Sequence, residues 1–576
     1  MKFKYNNIVF SIIMAFSASG LTACNNESNS STLASTETTE SSIDSSLKFD
    51  ASKSQVTTVN LTVDGQAMKV TQYRIVYVAK PIKMASTQAT LGGGTTTISD
   101  PYAYQTLIIS IPEGKENDQK TAMYLQFNNG GWWASPVKTN INEGANLVST
   151  NDTDNYGAAL KAGYIVVDVG TRGRGIRSYD GTWAGKAPAV IVDAKAAIRY
   201  LRLNDTLLPG SAEKIIITGT SGGGGLISTV AASGNSPDYL SYLAEIGAAG
   251  VRGSGTSLTS TVKDNVFAVV AYCPINNLAN ADLGYEWQYN ASRNDSNTGN
   301  LNGVSYSAGP QLTASKEIAE KFPMYLQTLN LKLPNGQQLT AENMPDQIKE
   351  QIKSEIERQL AKGTPVPNFG ENFVSSKATL VNDWLKHDGS KVTEIDYQKF
   401  LNYVAANQAL KTVVAFDAVG VNGNTAISGE TNLFGDSQNE YNNFTQWSWD
   451  HNSKTADGSG QDDTGLSWEN YLNSNSSTAN LLKDQLKMVN PIAYLNTTTD
   501  TAPYWYIRHG MLDRDTSFAM QMILYYAVTN DPKVKDTNFK LPYLTGHAGN
   551  YDVQEAFKWI NEKLNTTQKY EFKLFI

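Results

Sequence analysis

The stretch Gly219-Thr220-Ser221-Gly222-Gly223 sets a hydroxyl among glycines in Gly-x-Ser-x-Gly spacing. A serine hydroxyl is a weak nucleophile alone. It reacts when a neighbouring base takes its proton and an acid orients that base. In a chain with 45 glycines the pattern by itself says little, and its flanks give it weight. The buried-type run Ile215-Ile216-Ile217-Thr218 leads straight into it, and Leu226 to Ala232 reads as a helix just after. A strand-to-helix turn this tight needs neighbours without side chains. The helix N-terminus behind Ser221 would favour negative charge forming there. The plain alternative is a glycine-rich turn with an exposed serine.

The chain has 4 histidines: His387, His451, His509 and His547. Asp513 follows the predicted strand Tyr504–Ile507, and His547 follows the predicted strand Phe539–Leu544. This matches the order serine, acid, histidine of α/β-hydrolases, with acid and base on loops after late strands. His547 is therefore the expected base and Asp513 its orienting acid. His509 precedes the acid, in the wrong order for that role, while His387 and His451 read as surface residues. Acyl transfer also needs two donors for the oxyanion. One is the N–H of Gly222. The second is expected from Asn129-Gly130-Gly131, with Gly130 the first choice and Gly131 close behind; the alternative there is a simple tight turn. Gly170-Thr171-Arg172-Gly173-Arg174-Gly175 lacks the helix a phosphate-binding loop would open into, and reads as an ordinary loop. Cys273 ends a buried-type strand and reads as a packed thiol. No His-x-x-x-His or Cys/His spacing builds a metal site, so neither metal nor cofactor is expected.

These residues need a frame that brings positions 130, 221, 513 and 547 together. Val56–Val63 and Tyr73–Val78 read as antiparallel strands. Thr106–Ile111, Met123–Phe127, Tyr164–Val169, Ile215–Thr218 and Phe267–Tyr272 read as strands alternating with helices such as Ala187–Leu203. Alternation of this kind predicts an α/β fold with a largely parallel sheet. It stops at Asn277 and resumes near Asn490, ending in an amphipathic helix from Val553 to Leu564. The predicted organisation is a core over 51–276, a lid inserted between late sheet strands over 277–490, and the rest of the core over 491–576. Ile348, Ile352, Ile356 and Leu360 form a helical stripe within the insertion, read as packing.

The N-terminus reads as an export signal. Lys2 and Lys4 precede an apolar run from Ile8 to Phe16, too short to span a bilayer, and then Leu21-Thr22-Ala23-Cys24. That tetrapeptide resembles a bacterial lipobox, with 1–23 a signal peptide and Cys24 the lipidated new N-terminus. Cys273 would then be the remaining thiol, with no intramolecular disulfide. Residues 24–50 read as a flexible Ser/Thr/Asn-rich tether. The expectation is an exported lipoprotein whose body meets the membrane only through its anchor. A formal charge of -8 without Lys/Arg clusters excludes a nucleic-acid role.

From about Tyr104 onward the sequence resembles the bacterial tannases, subtype B. The resemblance rests on Asn129-Gly130-Gly131, Gly185-Lys186-Ala187-Pro188-Ala189, the elbow Gly219–Gly223, Ala271-Tyr272-Cys273-Pro274-Ile275 and Tyr285-Glu286-Trp287. It continues in Arg508-His509-Gly510, Asp513-Arg514-Asp515-Thr516, and the His547 loop ending in Tyr551-Asp552. The family's elbow commonly has Ala where this chain has Gly222. The resemblance implies an α/β-hydrolase with a large lid that cleaves galloyl esters and depsides of tannins to gallic acid. It also implies that a Lys, a Glu and an Asp hold the galloyl hydroxyls. By local match these are Lys411, Glu430 and Asp515, with Ile275 against the ring and Gly131 also at the substrate. A Lys donor and two carboxylate acceptors suit an arc of three hydroxyls. The rival readings are an esterase for other phenolic acids such as hydroxycinnamates, an exopeptidase on the same fold, and a lipid-anchored binding protein without activity.

Overall fold

The apolar runs assemble into one ten-stranded sheet. The computed structural model describes residues 41–293, 300–301, 304–305, 308–418, 429–452 and 464–574. The signal segment, Cys24 and the tether up to residue 40 lie outside the described residues. In chain order the strands are β1 (Gln55–Val63), β2 (Gln66–Val76), β3 (Thr106–Pro112), β4 (Ala122–Phe127), β5 (Asn146–Leu147), β6 (Ile165–Val169), β7 (Ser211–Thr220), β8 (Ala268–Tyr272), β9 (Tyr504–Arg508) and β10 (Asp536–Lys540). Their order across the sheet is β10-β9-β8-β7-β4-β6-β3-β2-β1-β5. The half from β6 to β10 is parallel, whereas β1, β2 and β3 run antiparallel to their neighbours up to β6. Parallel strands must be covered on both faces, which explains why Ile165–Val169 and Ala268–Tyr272 are buried throughout.

From β4 the chain crosses one way to β6 and then back to β7, so β4 and β7 are neighbours with their connections on opposite sides. Ligands in open α/β sheets bind beyond the strand C-termini at such a switch point. Asn129-Gly130-Gly131 follows β4 and Ser221 follows β7, so the topology alone puts them side by side.

The insertion leaves after β8 and returns before β9, two neighbouring parallel strands. Its packing continues that of the sheet. Phe322, Ile348, Ile352, Ile356, Trp384 and Phe400 belong to the same apolar core as Leu125, Ile217, Val269 and Ile507. The stripe Ile348-Ile352-Ile356 is fully buried on helix Met344–Ala361, as packing requires.

Two boundaries differ from the sequence reading. Residues 41–50 are docked rather than flexible. Helix Ser42–Ser46 is capped by the Ser41 side chain, Leu47 is buried, and Asp44 accepts from Gly250 N and pairs with Arg252. Ile43, Leu47 and Phe49 supply an apolar set that the preceding stretch lacks. The last strand is Asp536–Lys540, earlier than Phe539–Leu544. Pro542 has no N–H for a ladder, and the chain turns there.

Candidate active site

Ser221 sits at φ 61°, ψ -125°, between β7 and the helix Gly222–Ala232. This region is strained for a residue with a Cβ. It is held by Ser221 N donating to Tyr272 O (2.9 Å), while Ser221 O accepts from Gly225 N and Ile275 N (3.0 Å each). The turn aims the hydroxyl out of the sheet end. A Cβ on Gly222 would lie 2.1 Å from Trp132 N and 2.7 Å from Asn129 O, so the elbow and the loop after β4 touch backbone to backbone there. Trp132, itself buried, ties the same loop to the segment after β8, its Nε1 donating to Ile275 O (3.0 Å).

His547 Nε2 is 2.8 Å from Ser221 Oγ, and its Nδ1 is 2.8 Å from Asp513 Oδ2. The loop carrying His547 is pinned at Asp552, whose carboxylate accepts from Tyr272 Oη, Tyr506 Oη and Arg508 Nε. Asp513 is buried, and burial alone would raise its pKa; the facing imidazoles of His509 and His547 and the Asp515 N–H hold it below the usual range. Burial opposes charge on His547, but the Asp513 carboxylate more than offsets this, and the imidazole is more basic than usual. His509 stands behind the acid, fully buried, with Nδ1 3.3 Å from Asp513 Oδ2. Burial lowers its pKa. Of the two histidines beside Asp513, His547 is the one at hydrogen-bond distance from Ser221. Cys273 is buried with its thiol pushed up by desolvation, and Sγ donates to Ala548 O (3.2 Å). Among the described residues, the grouping of His, Cys and acid side chains compact enough for a metal is Cys273, Asp513 and His547, which already hydrogen-bond in this way.

Ser221 and His547 open into a cavity of about 920 Å³. Gly131, Ile275, Lys411, Glu430 and Asp515 line it too, so all five residues assigned to substrate by resemblance meet at one site. Lys411 and Glu430 are brought together by a bridge between Asp417 and Gly429 and by Glu430 N donating to Phe416 O (2.8 Å). The Lys411 ammonium stands 4.3 Å over the Phe416 ring, and Lys411 N donates to Tyr285 Oη. The buried Lys186 ammonium donates to the carbonyls of Asn432, Phe434 and Glu440, fixing the loop after Glu430. Glu430 is 6 % exposed, and its Oε2 has no hydrogen-bond partner among the described residues. Burial raises its pKa, against the pull of Arg174 and Lys411. His387 and His451 do not line the cavity.

Comparisons with known proteins give the family and the fold. A family model described as BD-FAE, an α/β-hydrolase family, matches residues 109–315. No curated protein matches the chain. Among solved structures, the Fusobacterium nucleatum tannase is 31% identical, with a TM-score of 0.68, covering 90% of this chain and 99% of that one. The chain belongs to the bacterial tannase family. The native tannin acyl hydrolase of Lactobacillus plantarum is 29% identical (TM-score 0.66, 91% and 100% covered). A tannin acyl hydrolase solved in complex with ethyl gallate is also 29% identical (TM-score 0.68, 90% and 99% covered). This tannase-family chain is accordingly a carboxylic ester hydrolase with the α/β-hydrolase fold.

Two features of this tannase-family site were not legible in sequence. Gly130 N–H is occupied by Asn128 O (3.1 Å) and Trp132 N–H by Asn129 O (3.0 Å), so the first-choice oxyanion donor is already spent and Gly131 lies between them. The loop 170–175, read as ordinary, is buried and builds the cavity wall. Arg172 pairs with Asp193 (2.8 Å), and Arg174 donates to Gly131 O (2.5 Å) and Gly429 O and packs on the Trp133 ring. The available signal was two arginines between glycines beside an apolar strand, since buried guanidiniums require partners.

Proposed function

We propose that the chain hydrolyses galloyl esters and depsides to gallic acid and an alcohol through a covalent galloyl-serine. Ser221 Oγ attacks the ester carbonyl as His547 Nε2 takes its proton. Asp513 keeps Nδ1 protonated and stabilises the imidazolium. The oxyanion is held by the N–H groups of Gly222 and Gly131, which replaces Gly130 in this role. As the intermediate collapses, His547 returns the proton to the leaving alcohol. Water, activated by the same imidazole, then adds to the acyl-serine and frees gallate and Ser221.

The observation that carries the specificity is Glu430 Oε2: a buried carboxylate oxygen without a hydrogen-bond partner among the described residues, in the cavity that holds Lys411 and Asp515. An unmade buried hydrogen bond costs about 1–3 kcal/mol, and more for a charged group. A ring hydroxyl donating there would recover that cost. Ile275 and Gly131 lie on the same cavity wall for the ring faces. The test is a side-by-side assay of methyl gallate, methyl ferulate and a peptide amide. Turnover of methyl gallate alone supports the reading; preference for the ferulate moves it to the hydroxycinnamate esterases, and for the amide to the peptidases. Export and lipidation at Cys24 are proposed on sequence alone. Cys24→Ser should move the protein out of the membrane fraction with activity retained, and failure of wild-type chains to incorporate labelled fatty acid would remove the anchor.

A further inference from the structure

A second cavity, of about 570 Å³, lies within the insertion. Val414 and Ala415 are neighbours in the chain, yet Val414 lines this cavity and Ala415 the catalytic one. The floor is apolar and buried. Ile318, Val414 and Trp447 belong to a small apolar cluster separate from the main core, and the fully buried Phe444 lines the same space. Met324, 70% exposed, stands at the open rim. The volume falls within the roughly 300–1,000 Å³ range of small-molecule sites.

Among the described residues, two charged side chains line this cavity, and they differ in burial. Asp282, on helix Leu278–Tyr289, is 3% exposed. Its Oδ1 accepts from Ala415 N (2.8 Å) and Phe416 N (3.0 Å), while its Oδ2 has no hydrogen-bond partner among the described residues. Burial, and after it the Asp417 carboxylate, raise the Asp282 carboxyl to about 8, so it keeps its proton near neutral pH. With Oδ1 accepting two N–H bonds, that proton belongs on Oδ2, a buried donor without an acceptor. Lys321 is half-buried, and its ammonium donates to Gln446 Oε1 (3.3 Å), which uses one of its three N–H groups. The Trp447 indole N–H is already given to Glu317 Oε2 (2.9 Å), so Trp447 offers the cavity its ring alone.

A matching ligand carries a hydroxyl for Asp282, a flat apolar body for the walls and an anion for Lys321. Aromatic surface at Tyr325, Phe444, Trp447 and Trp468 favours a ring between the two ends. A fatty acid lacks the hydroxyl, and an amine meets Lys321 with the wrong sign. We infer that this cavity is a second binding site, for a hydroxylated aromatic carboxylate, with a ring hydroxyl accepting from Asp282 and the carboxylate at Lys321. Gallate, the product of the proposed reaction, has this form. The insertion then holds product at a place apart from Ser221, behind the segment that carries Lys411.

Equilibrium dialysis of labelled gallate against the full chain counts the sites, with melting curves as a fold control. Wild type should bind two equivalents. Lys321→Glu should weaken one of them at least about tenfold, the size of a lost charged hydrogen bond, and Lys411→Met the other. Benzoate, without hydroxyls, should compete at the Lys321-dependent site at least about tenfold less well than gallate. One equivalent, weakened by Lys411→Met and untouched by Lys321→Glu, overturns the second site and leaves the esterase reading intact. Two equivalents that both ignore Lys321→Glu overturn it as well, and benzoate equal to gallate overturns the hydroxyl assignment. One equivalent that depends on Lys321 alone, in a protein that fails to cleave methyl gallate, supports the site and overturns the esterase reading.

Discussion

The elbow and the insertion contribute to one cavity by different physics. Around Ser221 the backbone does the positioning. A residue at positive φ is wedged between β7 and a helix, and Gly222 touches the loop after β4 with no room for a methyl. The described residues 411–418 and 429–430 belong to no strand of the large sheet. Hydrogen bonds and buried charges hold them instead: Asp282 accepts from Ala415 N and Phe416 N, and Lys186 caps the following loop. The nucleophile thus sits on a turn wedged between sheet and helix, where small displacements are costly. Recognition sits on loops, whose polar groups can be matched to one ring without disturbing the sheet.

The comparison breaks most simply at the elbow. Ser221→Ala should lower kcat for methyl gallate by on the order of 10⁴-fold or more while gallate still binds, and His547→Ala should add nothing to that loss. Near-native turnover by Ser221→Ala in a stopped assay of gallate release would end the mechanism.

On the insertion side, Lys411→Met and Asp515→Asn should each lower methyl gallate turnover by roughly 10²-fold, the size of a lost charged hydrogen bond in a buried site. Methyl benzoate, already a very poor substrate, should change far less, so the gap between the two esters narrows. Because Asp515 N donates to Asp513, its variant needs a small activated ester as a control. Equal loss on gallate and benzoate would make these residues structural.

Gly222→Ala sharpens the contrast, because the family's elbow tolerates alanine and this chain has no space for it. The methyl would press on Trp132 N and Asn129 O, and overpacking of this kind costs about 1–3 kcal/mol. Roughly tenfold slower turnover of every ester and a lower melting temperature are expected. An unperturbed variant would show that the contact relaxes freely.

The smallest effect is on pH. The base must be neutral to take the serine proton, and its pKa is raised, so it stays protonated to higher pH than a free imidazole. kcat/KM should therefore climb with rising pH through a value above the ordinary 6.5. Asp513→Asn removes the charge that raises it, and the residual activity should titrate at lower pH. A limb at or below the ordinary value in the wild type would contradict the electrostatics.

The reactive half was readable from sequence because its signals are local and steric. A glycine-flanked serine after an isoleucine-rich strand, an acid and a histidine after the last two strands, and their order along the chain leave few arrangements. The long strands were recognisable by their apolar runs, and the ordering of His547 over His509 followed from the fold's connectivity. Lys411 and Glu430 were assignable only through resemblance, since a charged residue in a polar stretch has no periodicity to mark it as buried.

What sequence alone determined is the alternation of strand and helix, the elbow, and the order of nucleophile, acid and base, because backbone sterics and hydrophobic period act over a few residues. Tertiary structure alone decided the rest. It paired the Gly130 N–H with Asn128 O. It placed Arg174 and the Leu91 hairpin at the cavity, and left one oxygen of Glu430 without a hydrogen-bond partner among the described residues. Each depends on which distant backbone or side chain occupies the neighbouring space, and that is fixed only when the sheet and the insertion close around a common core.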